Sequence, residues 1–444
     1  MDNRALAEQL VKKCLAKGAD AAEVYVGSSR ELNVSVRNGD VETVQEAATS
    51  GVGVRVLLGG RLAFSHCNDV ADAALDAAIS SAIAFARTTT PDPSNVLPTE
   101  AAAEAIDGLY DPAIAKVPME EKVNLARELE KLAMKDPRIT KSAGARYGEE
   151  EAEIFLANSS GLSKGYRSSG CGLGVNVVAV KGEVQSPGGE SCSRRFYADL
   201  LPASDIAARA AQNALELLGP RPVKTQRAAV LVDPDVARAI LGGLVAAVNG
   251  EAVLQGASFL AAMLDKPIAS DLLTLIDDGI RPKGLASRPF DGEGVPTQKR
   301  VIVDRGVLKG FMYNTIVAKR AGVKSTGNAT RGGYASLPGI GPHNFSMAVG
   351  TLPPDEILKA TKAGLWLKEV TGYGINPVNG NFSGGASGLW IENGTAAYPV
   401  RGVTIAGTAK EMLNGIDMVG RDVDLNRGFA APLFRITEMQ IGGE

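Results

Sequence analysis

Two histidines, His66 and His343, are all the imidazole that 444 residues provide. Imidazole titrates near neutrality and ligates metals, so zinc enzymes, Ser-His-Asp hydrolases and Cys-His proteases lean on it. Two isolated histidines cannot form an HExxH-type pair on one helix turn, and the chain is poorly equipped for those chemistries. Ser383 and Ser387 have no GxSxG elbow around them, and their base would have to be one of the distant histidines. Asp277-Asp278-Gly279 offers adjacent carboxylates for acid–base work, but neighbours in an extended segment point to opposite faces. A strand-end turn is the preferred reading. Asn328, Arg331 and Tyr334 lie in a Gly/Ser/Pro-rich connection, residues 324–346, and could grip a peptide backbone or a carboxylate; a solvated loop reads equally well. His343, in Gly-Pro-His-Asn, reads as a turn residue. Neither Gly172-Leu173-Gly174 nor Gly339-Ile340-Gly341 completes a strand–glycine–helix nucleotide fingerprint, and no Walker lysine is present.

Composition narrows the partners. A net charge of −3 leaves no basic footprint for nucleic acid. No apolar run approaches the roughly 18 residues of a membrane span, and the amphipathic N-terminus lacks the apolar core of a signal peptide. Cys14, Cys67, Cys171 and Cys192 are scattered without a CxxC pair. The expectation is a cytoplasmic protein with free thiols.

The elements that must position these residues predict an α+β chain. Residues 3–18 predict a helix, followed by short strands paired across Asn38-Gly39 and Gly59-Gly60. Asp69 is the expected N-cap of a helix reaching Ala86. Helix, strands and helix recur as Met119–Lys135, residues 138–200 and Ser204–Leu218, the last opened by its serine. Expected boundaries are a lobe at 1–90, a proline-bearing linker at 91–117, a lobe at 118–222 and a β-rich domain at 223–444. The two lobes read as one layered structure or as two small domains. In the second half, Asp233-Pro234 predicts the start of a helix reaching Val248, with Gly242-Gly243 in its middle. Further helices are expected at Ser258–Met263 and Asp355–Glu369. Residues 379–413 begin with a small-residue run, Gly380 to Gly388, that reads as a loop, and continue as a hairpin across Asn393-Gly394.

Several of these stretches together resemble the PmbA/TldD family, the modulators of DNA gyrase, over nearly the whole length. They are Gly18-Ala19-Asp20, Asp277-Asp278-Gly279, Asp291-Gly292-Glu293-Gly294-Val295-Pro296, Gly306-Val307-Leu308-Lys309-Gly310 and Ser325-Thr326-Gly327-Asn328-Ala329. The most specific is Ser383-Gly384-Gly385-Ala386-Ser387-Gly388-Leu389-Trp390-Ile391-Glu392-Asn393-Gly394, which is similar to the PmbA (TldE) side of the family. TldD-type chains carry an HExxxH zinc motif on the helix after the strand that opens the C-terminal half. Here about Gly242, Gly243 and Ala247 fall on those positions, and no His or Glu occurs in Pro234–Val248. The resemblance implies a non-zinc-binding subunit of a metalloprotease, with zinc expected in a TldD-like partner and no cofactor in this chain. Substrates would be unfolded or short peptides held extended in a chamber between subunits. Candidate peptide-binding residues are Ser383, Gly385, Ala386, Ser387, Trp390, Asn328 and Arg331. The rival expectation is a homodimeric peptide-binding or scaffold protein without protease activity.

Overall fold

In the computed structural model, residues 2–99, 105–372 and 374–444 are described; the stretch of the expected linker that begins at Glu100 lies partly outside them. Helix α1 (Asn3–Ala16) precedes strands β1 (Ala21–Arg37), β2 (Asp40–Leu58) and β3 (Arg61–Cys67), and then helix α2 (Asp72–Ala86). Helix α3 (Met119–Ala133) precedes β4 (Ile139–Asn158), β5 (Ser163–Lys181) and β6 (Val184–Arg194), and α4 (Ala203–Glu216) closes this half. The six strands form one antiparallel sheet in the order β3-β2-β1-β4-β5-β6. The β1–β4 pairing runs from Glu23↔Asn158 to Val36↔Ala145 and joins the two expected lobes.

Alternation along the strands assigns the two faces. On β1, Val24, Val26, Leu32, Val34 and Val36 are buried beneath the helices. Helices α1 and α2 cover one end of this face, while α3 and α4 cover the other. The opposite face carries Tyr25, Ser29, Glu31 and Asn33 from β1, and glycines from β5. It is turned toward the second half of the chain.

That half is built on β7 (Gln226–Val232), whose apolar run is flanked by parallel strand Ala363–Thr371 and antiparallel strand Phe434–Gly442. Strands Asn381–Glu392 and Thr395–Thr408 follow, and Ile405↔Ile441 pairing closes a ring of five strands. Helix α5 (Ala237–Ala247) packs Ile240, Leu241 and Leu244 into the same core. A second, five-stranded sheet contains β8 (Leu275–Asp278) and strand Asn344–Met347.

Several local expectations are corrected. Short strands expected in the first half fuse into the central strands β1 and β4, of 17 and 20 residues, because the sheet face beneath four helices is continuous. Asp69 accepts a hydrogen bond from the Ala71 amide, but the α2 N-cap position is Ala71 itself. Pro202 rather than Ser204 caps α4. Asp233 does not open α5; its carboxylate accepts from the Trp366 indole and pairs with Lys368. Residues 258–263 form turns, and the short helix is Gly250–Leu254. The helix expected at Asp355–Glu369 ends at Lys359, and Ala363–Thr371 is a central strand. Close pairing dictates this: a Cβ on Gly364 would stand 2.4 Å from the Ala229 carbonyl oxygen. The small-residue run 381–388 is strand, not loop. Across Asn393-Gly394 the hairpin forms as expected, with φ of 50° and 75°.

Candidate functional site

Helix α5 holds Gly242, Gly243 and Ala247, onto which the resemblance lays a zinc motif. A Cβ on Gly243 would lie 1.9 Å from the Ile375 carbonyl oxygen, so the helix rests flush on that backbone and admits no side chain there. Ala247 is fully buried in the core. At Gly242 the nearest atom a Cβ would meet is in the Arg238 side chain, at 4.0 Å. None of the three offers a donor atom, and Gly243 has no room for one, so this helix does not fit a zinc ion. Among the described residues no group of three or more His, Cys, Asp or Glu is placed to hold a metal.

Arg238 lines a cavity of about 260 Å³ together with Asp424 and Arg427. That cavity shares Ser191, Ser193 and Leu285 with a larger one of about 600 Å³ over the open face of the sheet. The floor of the larger cavity includes four glycines, Gly148 on β4 and Gly170, Gly172 and Gly174 on β5. Glycine inside a strand costs stability and commonly marks a place where another chain lies close to the backbone. Glu31 and Glu150 are cross-strand neighbours on the same floor. Beyond them lies a third cavity of about 220 Å³, sharing Glu150, Ser168, Arg195 and Leu285 with the large one. The three adjoin through these shared residues and are taken together as one cleft.

A buried charge network fastens the sheet to the second half at the inner end of this cleft. Arg55 on β2 donates to Glu23 at 2.6 Å and to Glu293 at 2.9 Å, and all three side chains are at most 1% exposed. Arg331 pairs with the other oxygen of Glu23 and donates to the Gly292 carbonyl at 2.6 Å. Burial alone would raise the Glu293 pKa; the Arg55 guanidinium overrides it and holds Glu293 below the ordinary carboxylate value. Asp291 goes the other way. Burial first, then the charge of Glu293, push its carboxyl upward against three backbone N–H donors, those of Glu293, Val295 and Ala329.

The structure disperses the residues singled out from sequence. Ala386 and Trp390 point into the core of the ring, which leaves their side chains no face for a ligand. Ser387 is buried, Ser383 is exposed, and a Cβ on Gly385 would press on the Thr371 hydroxyl at 2.5 Å. Asn328 is fully buried and binds Asp277 at 2.7 Å and the Gly341 carbonyl at 3.1 Å. Asp277 also accepts from the His343 amide at 2.7 Å, so His343 belongs to this packed polar cluster. Arg331 alone reaches the cleft, where it also stacks over Tyr25. The glycine floor is absent from the expected site residues. Its signal is the alternation Gly170, Gly172, Gly174: strand spacing, with three successive outward positions bare.

Three family models match the chain. The PmbA/TldA metallopeptidase C-terminal domain covers residues 225–443, domain 1 covers 22–86 and the central domain covers 112–218. A relative in Escherichia coli O157:H7, "Metalloprotease PmbA", is 33% identical over 97% of this chain and 94% of its own length. A structure described as a putative modulator of DNA gyrase from Bacteroides thetaiotaomicron superposes with a TM-score of 0.91 at 27% identity, covering all of both chains. TldE from Thermococcus kodakarensis shares the fold, with a TM-score of 0.89 at 24% identity over 99% of this chain and 100% of that one.

Proposed function

The chain belongs to the PmbA/TldD metallopeptidase family, and from that membership we propose that it is the TldE-like subunit of a two-chain protease, holding peptide but not zinc. The carrying observation is α5, where Gly243 lies against the Ile375 backbone and no side chain on the relevant face can ligate a metal. A TldD-like partner supplies zinc and the general base. This chain supplies the glycine-floored cleft, a surface on which an extended peptide makes backbone contacts that tolerate varied side chains. The substrates are unfolded or short peptides, and the assembly works in the cytoplasm.

The test mixes the purified chain with a TldD-like chain and a flexible fluorogenic peptide. The expected result is a stoichiometric complex whose cleavage rate far exceeds that of this chain supplied with zinc alone. Equal cleavage by this chain on its own contradicts the reading.

A further inference from the structure

We propose that the inner cavity of the cleft, beside Arg288, is a carboxylate subsite that takes the C-terminal carboxylate, or an acidic side chain, of a peptide lying on the glycine floor. The inference rests on the reading of the cleft as a peptide wall and adds the chemistry that would position the chain on it. The cavity of about 220 Å³ is walled by Tyr25, Tyr166 and Phe290, with Tyr166 edge-on to Phe290 at 5.2 Å.

Its polar groups are unequally matched. Arg331 is neutralised by Glu23. Arg195 is buried, and its guanidinium donates only to the backbone carbonyls of Ser169, Gly284, Leu285 and Ser287. Those bonds take up four of its five N–H donors and leave its charge without a carboxylate within ion-pair reach among the described residues. The Arg288 guanidinium also lines the cavity and has no hydrogen-bond or ion-pair partner among them. Neither do the hydroxyls of Tyr25, which is 6% exposed, and Tyr166. On the acidic side, the Asp291 oxygens are taken up by three backbone amides, and Glu150 stands at the mouth beside Glu31. Two guanidiniums without a carboxylate partner and two phenols face the cavity, against Asp291 held by backbone amides and Glu150 at the mouth, and this balance is complementary to an anion. Guanidinium and phenol donors make charge-assisted bonds to a carboxylate, and such bonds are about twice as strong as neutral ones. The apolar ring faces accommodate the side chain attached to it.

The experiment measures fluorescence anisotropy on the full chain alone, without partner or metal. The probes are a fluorescein-labelled alanine-rich pentapeptide with a C-terminal phenylalanine, as free acid and as amide, and an amide whose penultimate residue is aspartate. The free acid is expected to bind ~10-fold more tightly than the plain amide, the value of one charge-assisted bond. Arg288→Gln is expected to abolish that preference, and Arg288→Lys to retain part of it. Recovery of affinity by the aspartate amide assigns the anion to a side chain; no recovery assigns it to the chain terminus. Equal binding of acid and amide, no binding of either, or a preference that survives Arg288→Gln overturns the subsite. Because no cleavage is read, failure of the two-chain protease reading would show separately, in the mixing assay.

Discussion

Arg55 holds one guanidinium between two carboxylates at the seam between the halves. Arg55→Met would leave Glu23 and Glu293 buried and short of their partner. Breaking a buried pair in this way costs about 3–5 kcal/mol, and urea unfolding should show it. Gly243→Ala inserts a methyl whose carbon would stand 1.9 Å from the Ile375 carbonyl oxygen. A loss of about 1–3 kcal/mol in the same measurement is expected. The pH response has two signs. Glu293, whose folded pKa is depressed, contributes stability above its unfolded value of about 4.3 that is lost as pH falls through the lower folded value. Asp291, whose folded pKa is raised, contributes stability that is full below about 3.9 and lost as pH rises through its folded value. Melting temperatures should therefore decline on the acid-to-neutral approach in the native protein, and Asp291→Asn should flatten that decline.

At the scale of elements, strand β5 gives the cleanest handle on the cleft. A Cβ on Gly170 would have only an ordinary contact, 3.6 Å to the Arg194 carbonyl oxygen, so Gly170→Leu fits the sheet and projects into the cavity. Stability should move by less than about 1 kcal/mol, since the site is open. Peptide binding by anisotropy should fall at least several-fold. Helices α1 and α3 and the Asn-Gly hairpin tips were legible from amphipathic spacing and turn chemistry, which are local properties. The strand Ala363–Thr371 was not, because Leu365, Trp366 and Leu367 also suit a helix and only the neighbouring β7 selects the extended form. The burial of Ala386, Ser387 and Trp390 was not legible for a related reason. A small-residue run looks accessible in sequence, whereas its glycines here let the strand Ala363–Thr371 pass close: a Cβ on Gly388 would meet the Trp366 carbonyl oxygen at 2.0 Å. The expectation that α5 carries no zinc motif rests on residue type alone, since glycine and alanine have no donor in any fold.

The whole molecule joins a helix-backed sheet and a closed strand ring through a few buried ion pairs, and leaves a polar cleft along the seam. On the proposed reading this chain carries and orients the peptide, and its α5 helix supplies no metal to polarise a carbonyl. On the proposed reading, the hydrolytic chemistry belongs to the second chain of the assembly. The most direct test reconstitutes this chain with a TldD-like partner whose motif glutamate has been changed to glutamine, and follows cleavage of a flexible peptide. The account predicts an intact complex with peptide bound and no cleavage above background, and full activity on restoring the glutamate. Cleavage that persists in the glutamine complex, and scales with the amount of this chain, would contradict it.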